Sequence, residues 1–202
     1  MKIGIMGGTF DPIHNGHLML GKYAYKQYDL DEVWFMPNPH PPHKSDKSIE
    51  TLTRHRVEMT KLAIEKYPYF KISLFEVEHE GTSFSYSTMQ KLKEMNPNDD
   101  FYFIIGADSL FSIEKWKHPE ILFKQCRILA AYRDGKGTTE MLSQIAYLNS
   151  KFSARIMLLK TPMVDISSSD IRQKIKSGEE IEQDLPKEII EYIDLHQLYK
   201  EV

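Results

Sequence analysis

The chain has 202 residues, enough for one core with a small appendage. Apolar residues make up 41%, which suffices for an ordinary globular core, and the 27% charged residues are well mixed, which argues against long disordered stretches. A formal charge of −3 excludes a broad basic field for nucleic acid, so any anionic ligand must be held by a local cluster of cations and amides.

In chain order, the first short apolar run, Lys2–Met6, predicts a strand; it is too brief for the apolar part of a signal peptide. A helix over Leu18–Gln27 and a strand over Glu32–Met36 follow, then a long Pro-rich loop over Asn38–Ser48. The next helix covers Leu52–Lys66, with Met59, Leu62 and Ala63 on one face. A strand is expected over Lys71–Val77, and a helix over Tyr86–Met95 is ended by the Asn96-Pro97 breaker. Further strands read at Phe101–Ile105, Arg127–Tyr132 and Arg155–Leu159. Between the last two lies a helix over Thr138–Leu148, its Met141, Leu142, Ile145 and Leu148 at helical spacing. The tail differs: Ser167-Ser168-Ser169-Asp170 opens a helix over Ile171–Ser177 with Gly178 as its stop, and Pro186 opens a last helix over Lys187–Leu195.

Several of these strands show little period-2 alternation, as strands covered on both faces do. Strands alternating with helices imply a Rossmann-like, doubly wound α/β fold: a parallel sheet with helices on both faces and a small C-terminal helical segment. The expected organisation is a single domain over 1–202, with the core over 1–165 and the helical segment over 166–202. In such folds the ligand sits beyond the C-terminal ends of the strands. The single cysteine, Cys126, lies between Ile121-Leu122-Phe123 and Ile128-Leu129 and reads as a buried structural thiol. No segment reaches the roughly 18–20 apolar residues needed to span a bilayer, and a cytoplasmic protein is expected.

The most informative segment runs from Gly7 to His17. It leaves a strand and enters a helix, where backbone N–H groups and the helix dipole can hold a phosphate. Gly7 and Gly8 allow close backbone approach, and Thr9 adds a hydroxyl. His14 and His17, three apart at the helix start, can face one side. A metal pair is a weaker reading, because no carboxylate or cysteine stands beside them at ligand spacing.

Gly8-Thr9-Phe10-Asp11-Pro12 followed by His14-Asn15-Gly16-His17 resembles the signature of the HxGH nucleotidyltransferase superfamily. The resemblance implies direct nucleotidyl transfer with release of pyrophosphate, the two histidines contacting the triphosphate. Four further segments resemble those of bacterial nicotinate-mononucleotide adenylyltransferases. Asn38-Pro39-His40-Pro41-Pro42-His43-Lys44 matches a loop whose lysine approaches the phosphates. Phe103–Leu110 matches a strand-to-turn segment in which Gly106 and Asp108 would meet the ATP ribose. Trp116 matches a tryptophan that stacks on the pyridine ring, with Lys117 beside it. Ile166-Ser167-Ser168-Ser169-Asp170-Ile171-Arg172 matches a helix-opening signature for the triphosphate, Arg172 offering a planar fork to its oxygens.

This resemblance spans roughly residues 3–175, with the motifs in the family's order. The segment Gly81–Met89 departs from it: Phe84, Ser85 and Ser87 stand where the family has Tyr, Thr and Asp. There Thr82, Ser83 and Ser85 would contact the nicotinate nucleotide, largely through backbone amides. Arg133, a further contact by resemblance, lacks the usual following Pro, and Ser169 replaces a Thr.

The implied catalytic set is His14, His17, Lys44 and Arg172. ATP would meet Gly7, Gly8, Thr9, Phe10, Gly106, Asp108, Ile166, Ser167, Ser168 and Arg172. Nicotinate mononucleotide would meet Asn38, Lys44, Thr82, Ser83, Ser85, Trp116, Lys117 and Arg133. Mg²⁺ would arrive with the triphosphate, held by phosphate oxygens and water, since no protein carboxylate cage is readable. The alternatives are another HxGH acceptor (nicotinamide mononucleotide or phosphopantetheine) and a non-catalytic nucleotide sensor. Neither nucleic acid nor membrane is expected as a partner, and a homo-oligomer is left open.

Overall fold

A computed structural model describes residues 1–41, 49–79, 81–131, 138–162 and 166–200. Six parallel strands form one sheet in the order β3-β2-β1-β4-β5-β6: β1 Lys2–Gly8, β2 Glu32–Pro37, β3 Phe70–Ile72, β4 Asp100–Gly106, β5 Arg127–Ala131 and β6 Ile156–Leu159. Except for β3, the strands lie close to their apolar runs; for β5 the last expected residue, Tyr132, falls outside the described residues.

Side chains leave a strand on alternate faces, and the core divides accordingly. Met6, Tyr102, Ile104, Leu129 and Ala131 belong to one cluster, whereas Ile3, Ile5, Phe103, Ile105, Ile128 and Ala130 belong to the other. Helices α1 Asn15–Tyr28 and α2 Thr53–Ile64 cover the first face. So do α7 Ser168–Ser177 and α8 Lys187–Leu195, which place Ile171, Ile189 and Ile193 in the same cluster. Helices α3 Ser85–Met95, α4 Ala107–Ser112, α5 Pro119–Gln125 and α6 Thr138–Phe152 cover the second. Cys126 is buried among them, and desolvation pushes its thiol up to about 12.

The third strand is a correction. A strand over Lys71–Val77 was expected, yet β3 is three residues long and the chain turns away after it. The last ladder bond on this edge runs from Ser73 N–H to the Phe35 carbonyl, 2.8 Å. In a parallel ladder the next donor would be residue 37 of β2, which is proline and has no N–H. Released from the sheet, the segment carries Glu76 to the wall of the cleft described below. Two short helices, α4 and α5, were not read from the sequence, although Pro119 at the first position of α5 was a visible start signal.

Candidate active site

In this strand order the chain reverses direction across the sheet between β1 and β4, and a crevice opens beyond their carboxyl ends. A cleft of about 850 Å³ lies there. Its floor includes Gly7 and Gly8 from the end of β1, Thr9 from the loop that follows, Gly106 from the end of β4 and Asp108 from the first turn of α4. His14 and His17 line it from the start of α1, Asn38 from the loop after β2, Ile166 and Ser167 from the approach to α7, and Ser168 and Arg172 from α7 itself. Ser83, Ser85 and Trp116 form the remaining wall, with Glu76 and Ser109, which the sequence reading did not single out.

The first loop is shaped from beneath. Phe10 is 1% exposed and sits at φ 51, a left-handed conformation costly for a residue with a Cβ. Its ring meets His17 edge-on at 5.0 Å and Phe35 at 6.0 Å. A Cβ on Gly8 would lie 2.6 Å from that ring, so packing requires glycine there. The Phe10 side chain thus supports the loop from beneath and lies outside the cleft lining.

The two histidine rings stack at 3.7 Å with 29° between their planes. The His14 backbone N–H donates to His17 Nδ1 at 3.3 Å. That nitrogen therefore acts as an acceptor, and the neutral His17 ring carries its proton on Nε2.

Arg172 is held in place by two groups. Its Nη1 donates to the Asp11 carbonyl at 2.8 Å, and its Nε pairs with Glu50 Oε1 at 3.0 Å. Lys176, one turn further along α7, reaches the other Glu50 oxygen at 2.8 Å. These two cations hold the Glu50 carboxyl below its ordinary range, the Lys176 contact contributing most. The serines also serve structure. Ser167 caps α7, accepting from the Asp170 N–H and donating to its carboxylate, while Ser168 Oγ donates to the Pro12 carbonyl at 2.9 Å. An anion is favoured at this helix start, through the helix dipole and the first-turn amides other than the capped Asp170 N–H.

On the other wall, Trp116 is half-buried with its ring edge-on to Phe103 at 6.4 Å. Lys117 lies outside the lining, its ammonium 4.4 Å from the centre of the Phe84 ring, which ties the Trp116 segment to the 81–85 loop. Thr82 is exposed and also outside the lining. Glu76 is 7% exposed; desolvation raises its carboxyl above the ordinary range, opposed by a 2.7 Å hydrogen bond from the Thr88 hydroxyl. Only its place between Leu74, Phe75 and Val77 could have marked it. Lys44 and Arg133 lie outside the described residues. Among the described residues no group of three or more His, Cys, Asp or Glu could hold a metal, and no helix is long and apolar enough to cross a membrane.

A parallel sheet in this order, with an anion-suited turn beyond β1 and a cleft at the reversal point, defines a nucleotide-binding α/β protein. The chain belongs to the cytidylyltransferase-like family, whose pattern it matches over residues 5–174. Within it the chain is similar to nicotinate-nucleotide adenylyltransferases. A protein of Lachnoclostridium phytofermentans, named a probable nicotinate-nucleotide adenylyltransferase, is 44% identical over 98% of both chains. The Plasmodium falciparum nicotinic acid mononucleotide adenylyltransferase complexed with NaAD is 26% identical, covers 98% of this chain and 97% of its own, and superposes with a TM-score of 0.78. The same enzyme complexed with APC shares the fold with a TM-score of 0.80 at 24% identity, covering 98% of this chain and 96% of its own.

Proposed function

We propose that this chain transfers the adenylyl group of ATP to nicotinate mononucleotide, giving nicotinate adenine dinucleotide and pyrophosphate. The observation that carries this reading is the joining, in one cleft, of the Gly8–His17 turn and α7 start with the Ser83, Ser85 and Trp116 wall. The first pair suits a triphosphate, and the second suits a flat pyridine ring with a carboxylate. The full-length similarity to nicotinate-nucleotide adenylyltransferases supports the same assignment.

The acceptor is a phosphate monoester whose second pKa is about 6, so it is mostly dianionic at neutral pH. It therefore needs no general base. One of its oxygens attacks the α-phosphorus of ATP; the bond from that phosphorus to the β-bridging oxygen breaks, and pyrophosphate leaves. Such a step is mainly positioning and charge stabilisation. His17 Nε2–H donates toward the charge growing on the leaving group, with His14 stacked behind it. Arg172 and the α7 amides bind the triphosphate, Asp108 accepts from the ribose hydroxyls, and Trp116 stacks on the pyridine. Lys44, by its place in the motif, completes the phosphate contacts. A divalent metal accompanies the ATP; the sparse carboxylates of the cleft suit one carried on phosphate oxygens and water, and it supplies further charge neutralisation.

We place the reaction in the cytoplasm, with small molecules as its partners. The test is pyrophosphate release by the purified protein with Mg-ATP and either nicotinate or nicotinamide mononucleotide. Strong preference for the acid is expected. Equal use of both would retain the chemistry and assign the loss of selectivity to the altered Ser83–Ser87 segment at the start of α3. Release with neither would overturn the acceptor, and phosphopantetheine would be assayed next.

A further inference from the structure

Arg56 is among the largest fully buried side chains, 1% exposed, and it comes from α2 outside the cleft lining. All three of its nitrogens donate. Nε reaches the Thr51 carbonyl at 3.3 Å; Nη1 reaches the carbonyls of Thr9 at 2.5 Å and Asn38 at 2.9 Å; Nη2 reaches the Thr53 hydroxyl at 3.0 Å and the Pro39 carbonyl at 3.5 Å. None of these acceptors is a carboxylate. Taking a guanidinium out of water is expensive, and a hydrophobic side chain would fill the same volume without that cost. Packing alone therefore does not account for an arginine here.

The acceptors share a location. Thr9 belongs to the loop after β1, and Asn38 and Pro39 to the loop after β2; Thr9 and Asn38 both line the cleft. The loops also touch through the Asn38 N–H and the Gly8 carbonyl, 2.8 Å apart. Nη1 bridges both loops at once while Nε and Nη2 fix the guanidinium plane on Thr51, Thr53 and Pro39, a five-acceptor set that a single ammonium with three donors cannot satisfy.

We propose that Arg56 is a positioning residue that locks the first loop to the Asn38 loop, keeping the triphosphate on one in line with the acceptor nucleotide on the other. This rests on the adenylyl-transfer reading above. Small misalignments of two reactants are costly for the chemical step even when each still binds, so the lock acts on kcat more than on either KM.

The experiment compares wild type with Arg56→Lys in the full chain, combining steady-state kinetics per folded molecule with peptide-resolved amide hydrogen exchange. The expected result is a fall in kcat of tenfold or more, on the scale of lost alignment, with both KM values changed less than about threefold. Exchange should rise in the peptides covering both loops and stay unchanged over α3 and α4. The proposal is overturned if kcat stays within about twofold of wild type, if exchange rises in one loop only, or if it rises throughout the chain. Should Arg56→Lys fail to fold, Thr53→Val removes one acceptor and leaves the guanidinium in place. A kcat lowered by about two- to fivefold at unchanged KM is expected there, and an unchanged kcat overturns the lock. Absence of adenylyl transfer in wild type would sink the functional reading instead, while the exchange comparison would still test whether Arg56 joins the two loops.

Discussion

The phenolic oxygen of Tyr199 donates a 2.8 Å hydrogen bond to Oδ1 of Asp11, tying the segment after α8 to the loop after β1. Both residues are buried, at 6% and 1% exposure. The other Asp11 oxygen accepts the Glu50 N–H at 2.9 Å, and its backbone carbonyl accepts from Arg172. Burial pushes the Tyr199 hydroxyl well above its ordinary range, with the Asp11 charge adding to it, so the phenol stays a donor. Asp11 thus joins the first loop, the start of α2 and α7 without facing the cleft.

Tyr199→Phe removes that donor and leaves a buried carboxylate short of one partner. A loss of about 1–3 kcal/mol is expected, the usual cost of an unsatisfied buried acceptor. Urea denaturation of the two proteins measures it, and identical midpoints would show that Asp11 finds another donor.

For His17, replacement by Ala deletes the Nε2 donor set by the His14 backbone contact. Turnover should fall by roughly 10²-fold or more, the scale for a removed transition-state donor. Pyrophosphate release at saturating substrates is the measurement; turnover within a few-fold of wild type would take His17 out of the chemistry.

Two glycines of the cleft should respond differently to alanine. Gly8→Ala drives a methyl into the Phe10 ring, which its own backbone and the rings of His17 and Phe35 hold, and should cost about 1–3 kcal/mol. Gly106→Ala meets nothing within 4 Å and should stay within about 0.5 kcal/mol of wild type. Thermal melts decide, and equal shifts would contradict the packing account of Gly8.

The buried Glu76 makes stability depend on pH. Its folded-state affinity for a proton is raised, mainly by desolvation, so between the ordinary carboxylate range and its raised value the folded state binds more protons than the unfolded. Stability contributed by the neutral carboxyl is therefore present at low pH and lost as pH rises through that window. Glu76→Gln stays neutral throughout and should gain relative to wild type as pH rises from about 4 toward 8. Denaturation midpoints across that range test it; a difference independent of pH would mean that Glu76 titrates alike in both states.

The buried runs of β1, β2, β4, β5 and β6 were legible because a strand covered on both faces writes its burial into consecutive residues. So was the first loop, whose chemistry lies within eleven residues of a strand-to-helix turn. The short length of β3 was not read, although its cause, Pro37, lies on the neighbouring strand 35 positions before Ile72. Helices α4 and α5 are too brief to show a helical period.

What the sequence alone determined is local: the alternation of strands and helices, the anion-suited turn from Gly7 to His17, the serine start of α7 and the Trp116 position, each set by residues within one or two turns of chain. Tertiary structure alone decided the rest. It gave Arg56 the carbonyls of two loops, Asp11 the phenol of Tyr199, Arg172 the carboxylate of Glu50, and Glu76 a desolvated place in the cleft wall. The partners of Arg56, Asp11 and Arg172 lie from 17 to 188 positions away in the chain. The reason is physical: the cost of burying a polar group and the donor or acceptor that offsets it are both supplied by the surroundings that folding assembles, and no short stretch of sequence contains them.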